Sequence, residues 1–467
     1  MADLKAGVGR TDISPAPGTP QGGWGAQLHQ RGSGTDLPLY VTALVLADGT
    51  QSVAIVEADL IGFDLQKTGT IIGAIERLTG IPSSHILFSC THSHSGPNTF
   101  RLATISEGLD MALSYMEALP TRVAGAVWQA QQNLRPVRCA AAAGSCDINV
   151  NRRLRLADGR MIVGRNWNGA VDPTVRVARF DDLDENPVAT ILNYACHPTV
   201  VGWQNHLFTP DFPGMAKKVV EEEIGGTCLF LQGAAGGIGP RRGFTGNLKT
   251  YRRLGKILGL EASRVAATIE TLPRHEKFIG VLESGTSIAL YEDECVEPEP
   301  ACLSVRRRTL KLPLQKRPDP DELEATAAKL TRELGELHSA GSHGDIAQAR
   351  AMTTQARTQA DLSRLVYGKT HLDVPLQGIR VGPIALLASP LEVFTEIAQV
   401  IVASSPFVHT LFCGYSNGVL GYLPTREAYG EGGYEVAISL FAPDAAEVLV
   451  DASEVLLQEL AAGSSAT

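Results

Sequence analysis

The sequence predicts an α/β fold, a mixed β-sheet core flanked by helices, with a helical hairpin inserted at residues 318–368. Three observations carry this. Short apolar runs rich in β-branched residues alternate with longer stretches of helical spacing. Glycine or proline punctuates the ends of both. At residue 318 the composition shifts to Ala, Glu, Leu, Arg and Gln, and the sheet-like pattern resumes only after residue 368.

Taken in order, "YVTALVLA" (40–47), "SVAIVEADLIGF" (52–63) and "HILFSC" (85–90) have the length and apolar content of buried strands. "KTGTIIGAIERLTG" (67–80) and "LDMALSYMEALPTRVAGAVWQAQQNL" (109–134) have the spacing of helices that end at Gly or before Pro. Strands follow at "RVARFDD", "PVATILNYAC" and "TCLFLQG", with helices in "PGMAKKVVEEEIG" and "YRRLGKILGLEASRVAATIETL". The insertion reads as two amphipathic helices broken at "SAGSHGD", whose charged faces are expected to be solvated surface, with a lid or partner-binding role as the alternative. Strands return in "LQGIRVGPIALLASPLEVF" and "FVHTLFCGYSNGVLGYLPT", and "DAAEVLVDASEVLLQELAAG" forms a last helix. The expectation is a single domain over residues 1–467.

The formal net charge is -9, from scattered acids without long like-charged runs, which argues against a nucleic-acid partner. No stretch of about 18 apolar residues runs uninterrupted and the N-terminus has no apolar signal core, so no integral membrane segment is expected and the location expected is cytoplasmic. The eight cysteines contain no C-x-x-C pair and read as reduced, buried thiols. A small-molecule substrate is the partner expected, and homo-oligomerisation is left open.

The candidate chemistry begins at "CTHSHSGPNT" (90–99), after a buried strand. If the strand continues, His92 and His94 share a face at its carboxyl end, where α/β proteins place ligands. An H-x-H alone is as well explained by one core and one exposed histidine. His197, in "NYACHPT", occupies the same kind of strand end, and zinc commonly takes two or three imidazoles with an oxygen ligand. Glu392, in "SPLEVF", is a candidate for that oxygen; an acid favoured by a helix N-terminus explains it equally well. A rival reading comes from Gly233, Gly237 and Gly239 in "QGAAGGIGPRRG", a spacing used to hold dinucleotides. Against it, the motif lies mid-chain, Pro240–Gly243 starts no helix, and no Tyr-x-x-x-Lys begins at Tyr251. A glycine turn bringing backbone close to a substrate or metal-bound group is simpler.

The ordered set "GVGRTDISP", "EADLIGF", "THSHSGP", "DINVNRR", "NYACHPT", "TPDFPG", "PLEVFTEIA" and "GYLPTREAYGEGGYEVAISLFAP" resembles the catalytic domain of the neutral/alkaline ceramidase family, over about residues 6–443. The resemblance implies a ceramidase-like domain and a Zn2+-dependent amidase. It implies His92, His197, Glu392 and Tyr422 as zinc ligands, with a one-residue shift at Glu392. His94 and Arg152 match positions that line the site. Where ceramidases carry a catalytic serine, this chain has Gly239, and where they carry a C-terminal β-sandwich it has a short helical stretch. A substrate smaller and more soluble than ceramide is therefore expected.

The mechanism implied is hydrolysis of an N-acyl amide bond in a small or lipid-like substrate by metal-activated water. His94 would relay the proton and Arg152 would hold the oxyanion or a polar group of the substrate. Asp59 and Asp211 are candidates to orient the ligand histidines, or equally to cap turns. The alternatives are the same site acting on an ester, lactone or glycosidic bond, and a non-catalytic ceramidase-like binding protein. An amidohydrolase barrel fits the ordered motifs less well.

Overall fold

The structure, a computed structural model, describes residues 4–27, 29–100, 105, 107–298, 301–340 and 343–463. Its main sheet has eight strands in the order Thr227–Gln232, Pro187–Tyr194, Thr174–Asp182, Arg135–Ser145, Lys5–Asp12, Tyr40–Ala47, Ser52–Ala58 and Ile86–Cys90. The outermost pair at each edge is parallel and the pairs between them are antiparallel, so the sheet is mixed as predicted. A second sheet of four strands, Leu303–Pro313, His371–Val381, Ile384–Ala388 and His409–Cys413, packs on one face of the first. Helices Leu65–Thr79, Leu109–Gln132, Asp211–Ile224 and Leu248–Ala267 cover the other face. The outer face of the second sheet is covered by Thr395–Ala403 and Ala445–Ala461.

The apolar runs are explained by this layering. Along Ser52–Ala58, Val53 and Ile55 enter the core between the two sheets, while Ala54, Val56 and Ala58 enter the core under the helices. A strand covered on both faces reads as continuously apolar. Gly7 and Gly9 let the second helix lie against the Lys5–Asp12 strand: a Cβ there would stand 2.2 Å from the Ala130 carbonyl oxygen and 2.1 Å from that of Ala126. That helix runs through Pro120 to Gln132, as its segment was read. The first helix is capped by Asp64, whose carboxylate accepts from the Lys67 amide at 2.7 Å, and ends at Gly80 with φ 73°.

The predicted insertion contains helices Pro320–Ala340 and His343–Val366. The second reaches the body through Val366 in the core, through the Arg350 guanidinium donating to the Gln27 carbonyl at 3.0 Å, and through the Gln359 amide donating to the Ala437 carbonyl at 3.1 Å. All eight cysteines are free thiols.

The two edges of the main sheet approach each other, and residues 414–417 seal the gap. The Gly414 amide donates to the Gln232 carbonyl at 3.0 Å on one edge, while the Cys90 amide donates to the Tyr415 carbonyl at 3.3 Å on the other. The Asn417 side chain accepts from the Phe88 amide at 3.0 Å. Chain segments leaving opposite edges of the sheet therefore meet at one end of it.

Candidate metal centre

The Ile86–Cys90 strand stops before the histidines. His92 adopts φ 67°, a left-handed conformation uncommon for a residue with a side chain, and its amide donates to the Leu60 carbonyl at 2.9 Å. His92 and His94 are thus not aligned by strand alternation, contrary to expectation; a loop turns both rings to one point. Such strain persists where surrounding contacts over-determine it. Here they do: the Tyr415 ring lies 4.3 Å from the His92 ring, and Tyr415 itself has φ 55°.

Each imidazole is held by a backbone carbonyl. His92 Nδ1 lies 2.6 Å from the Ile61 oxygen, His94 Nδ1 2.9 Å from the Gly23 oxygen, and His197 Nδ1 2.8 Å from the Ala235 oxygen. A carbonyl only accepts, so each Nδ1 carries the proton and each Nε2 presents a lone pair. The three rings place their ligand atoms within 4.8 Å of one another. Asp59 and Asp211, expected as candidate orienters, are engaged elsewhere. Asp59 accepts from the Lys217 ammonium at 2.8 Å and the Tyr40 amide at 3.0 Å; Asp211 accepts from the Val201 amide at 2.9 Å. These loop carbonyls carry no sequence signal, because every residue has one.

Glu392 is brought to the histidines by a two-residue parallel pairing of Glu392–Val393 with Tyr422–Leu423, which sets Glu392 directly beside Tyr422. The helix expected at Glu392 begins later, at Thr395. Glu392 Oε2 lies 3.5 Å from His197 Nε2 and 3.8 Å from His92 Nε2. The glycine segment makes this approach possible. A Cβ on Gly236 would sit 2.3 Å from the Glu392 carbonyl oxygen, and the Gly236 amide donates to the Val393 carbonyl at 2.9 Å. The segment therefore packs against the carboxylate-bearing chain, and the next helix begins only at Leu248.

Arg152, on the strand Asn149–Arg155, donates through Nη2 to the Tyr422 hydroxyl at 2.9 Å and through Nε to Glu435 at 2.8 Å. Glu435, 2% exposed, also accepts from Arg153 at 3.1 Å. Sequence reasoning missed Glu435, Tyr415 and Gly23. Glu435 carried a faint signal, an acid inside "GEGGYEVA" two residues after a pair of positive-φ glycines, Gly432 and Gly433.

The electrostatics suit a cation. Burial lowers the pKa of His92 and His197 well below the usual imidazole value, and brings His94 down to about 4. All three are neutral at pH 7, the state a metal ligand needs. Burial pushes the Glu392 carboxyl up to about 7, although Arg152 and the Tyr422 hydroxyl pull it down. The Arg152 guanidinium is desolvated, but Tyr422 and Glu435 outweigh that and hold it firmly charged. His94 is only part-buried as a residue, yet its Nε2 is sealed from solvent without a hydrogen-bond partner, as are His197 Nε2 and Glu392 Oε2. Buried polar atoms without partners are costly, and His197 Nε2 and Glu392 Oε2, 3.5 Å apart, fit a shared cation. The structure thus brings His92, His94, His197, Glu392, Tyr422 and Arg152 to one place.

The profile of the neutral/alkaline non-lysosomal ceramidase N-terminal domain matches residues 4–237, half of the chain. The chain is 25% identical over 420 residues to the neutral ceramidase of Pseudomonas aeruginosa, an alignment covering 82% of this chain and 61% of that protein. It is 27% identical over 235 residues to the neutral ceramidase of Drosophila melanogaster, covering 48% of this chain and 32% of that one. The crystal structure of the Pseudomonas aeruginosa neutral ceramidase superposes with a TM-score of 0.69 at 19% identity, covering 98% of this chain and 75% of that one, which establishes a shared fold. The chain thus spans less than two thirds of the curated relatives' length. With the profile running from the first strand of the sheet through His92, His94 and His197 to the glycine segment, the chain belongs to the neutral/alkaline non-lysosomal ceramidase family.

Proposed function

We propose that this chain is a metal-dependent amidase that hydrolyses the N-acyl bond of a small or lipid-like substrate. The observation that carries the reading is the convergence of three neutral imidazoles, each tied by its Nδ1–H, with a buried carboxylate oxygen that lacks a partner. His92, His197 and Glu392 form the tightest set, at 3.5 and 3.8 Å, and with Tyr422 they would hold the ion. The donor set of imidazole nitrogen and carboxylate oxygen suits Zn2+. Such an ion supplies Lewis acidity that polarises a carbonyl and acidifies water.

The remaining groups act on the substrate. Arg152 has Nε and Nη2 engaged by Glu435 and Tyr422, so Nη1 is the nitrogen that can donate to the scissile carbonyl oxygen as it gains charge. His94 Nε2 is free to accept a proton and return it to the departing nitrogen. The Trp24 ring, 5.2 Å from that of His94, walls this side of the site and packs on Trp203 and Phe244. This gives the substrate an apolar surface beside the proton-transfer group.

The test combines metal analysis of the purified protein with mass-spectrometric detection of free acid from N-acyl amides of short and long chain, ceramide included. About one zinc per chain, lost in His92→Ala and His197→Ala together with turnover, is expected. Absence of metal uptake, or turnover that survives both substitutions, would reject the proposal. Hydrolysis confined to ester or lactone analogues would replace the amide assignment.

A further inference from the structure

The chain carries a two-stranded arm whose apolar surface no other described residue covers. Strands Arg274–Glu283 and Ser287–Cys295 form a two-stranded antiparallel ribbon that pairs with no other strand among the described residues. Between its charged base and the Glu283–Ser287 pair at the turn, the ribbon is apolar on both faces. The register places Phe278, Tyr291 and Val281 on one face and Leu282, Ile288 and Leu290 on the other, with a bulge between Phe278 and Gly280. These six side chains are between 39% and 56% exposed, and Ile279 in the bulge is 54% exposed. The strands of both large sheets are buried on at least one face, so the ribbon is the exception.

An isolated two-stranded ribbon is marginal in water. Side chains of this size and exposure leave on the order of 600 Å2 of apolar surface on one arm, at the upper limit for the largest patch of a monomer. We propose that the ribbon is an exchange arm that clasps a second copy of this chain in a two-fold dimer. Two such arms together carry roughly 1,200 Å2 of apolar surface over their two faces, so that one face against the partner arm and the other against the partner's body bring the contact into the range of stable dimers. A two-fold contact uses the same patch from both copies, so the apolar stretches of the two arms meet each other while the charged bases stay in solvent. That is the apolar centre and polar rim of a protein interface.

Charge argues against an anionic bilayer or a nucleic acid as the occupant. The ribbon carries Glu276, Glu283, Glu292, Asp293 and Glu294 against Arg274, His275 and Lys277, on a chain of net charge -9. An anionic membrane surface or a phosphate backbone would be repelled. The inference does not depend on the proposed reaction.

Light scattering after size exclusion, over roughly 1–100 µM full-length protein, tests it. The wild type should elute at twice the 49.7 kDa chain mass. The double variant Val281→Glu/Leu290→Glu, one charge on each face, should elute at the single-chain mass with unchanged far-ultraviolet circular dichroism. A monomeric wild type across that range, or a dimer that survives the double substitution, would overturn the proposal. Hydrogen exchange on the wild type removes any dependence on how the variant folds: amides of residues 278–291 should lose protection on dilution, and concentration-independent exchange there would overturn it. Monomeric wild type that co-sediments with phosphatidylcholine vesicles would reassign the arm to a membrane surface.

Discussion

At the scale of single residues, the site depends on acceptors and counter-charges that fix side chains already aimed at it. Glu435 holds Arg152 and Arg153 together in a buried position, so Glu435→Ala leaves two guanidiniums without their shared partner. A loss of about 3–5 kcal/mol is expected from breaking a buried pair, read from urea midpoints, together with reduced turnover. An unchanged midpoint would show that Glu435 neither orients nor neutralises them. Gly239 is a second case. A Cβ there would meet the Arg152 Cβ at 3.5 Å, an ordinary contact, and no positive φ requires glycine. Gly239→Ser should therefore fold with a stability change under about 1 kcal/mol and set a hydroxyl beside Arg152; a large fall in melting temperature would contradict this. Asp211 supplies a pH signature. Burial raises its carboxyl to about 7 against the pull of the Val201 and Phe212 amides, whereas in the unfolded chain it ionises near pH 3.9. The folded state thus holds the proton longer, and this contribution to stability is complete below about pH 4 and lost as pH rises towards 7. Asp211→Asn cannot ionise, so wild type should lose stability relative to this variant between pH 4 and 7. Parallel profiles would refute the assignment.

At the scale of elements, two connections place the site. The strand Ser52–Ala58 and the helix Asp211–Ile224 are joined by Lys217, whose ammonium donates to Glu57 at 2.8 and 3.0 Å and to Asp59 at 2.8 Å. Lys217→Met would leave two carboxylates facing each other in a dry interior. The expected cost is about 3–5 kcal/mol, partly recovered in Lys217→Met/Glu57→Leu. Additive losses in the double variant would mean that the groups do not act as one unit. The second connection is the inserted helix His343–Val366, which touches the loop containing Gln27 on one side and the Tyr434–Ala437 turn on the other. Those segments carry Gly23, which holds His94, and Glu435, which holds Arg152. Arg350→Ala/Gln359→Ala should therefore raise KM for N-acyl substrates while leaving the metal content unchanged.

At the scale of the whole molecule, the candidate ligands come from segments as far apart as His92 and Tyr422. They meet because the main sheet curls until its edges approach and the 414–417 segment closes the seam. An ion bound there links both edges and the second sheet at once. Binding to the folded state alone stabilises by RT ln(1 + [L]/Kd), about 4 kcal/mol at a thousandfold excess over Kd. Chelation should accordingly lower the melting temperature of the wild type and zinc should restore it, whereas His197→Ala should show no response to either. Equal responses in both proteins would place the stabilising ion elsewhere.

Much of this was legible in the chain. The long apolar runs were readable as strands because sheet and helix layers cover both faces, and "THSHSGP", "NYACHPT" and the family motifs marked the residues that converge. Local matters follow from the residues alone: which segments are strands or helices, which histidines sit beyond strand ends, and which family the ordered motifs resemble. Three others arise only when distant segments pack. His92 turns through a left-handed backbone conformation and not by strand alternation, because neighbouring loops hold it there. The imidazoles are oriented by carbonyls and not by Asp59 or Asp211, since backbone acceptors carry no sequence signature. Glu392 and Tyr422 become neighbours through a two-residue pairing, and Glu435 reaches Arg152 across 283 residues. Such contacts depend on the three-dimensional arrangement of remote parts of the chain, and local periodicity holds no record of them.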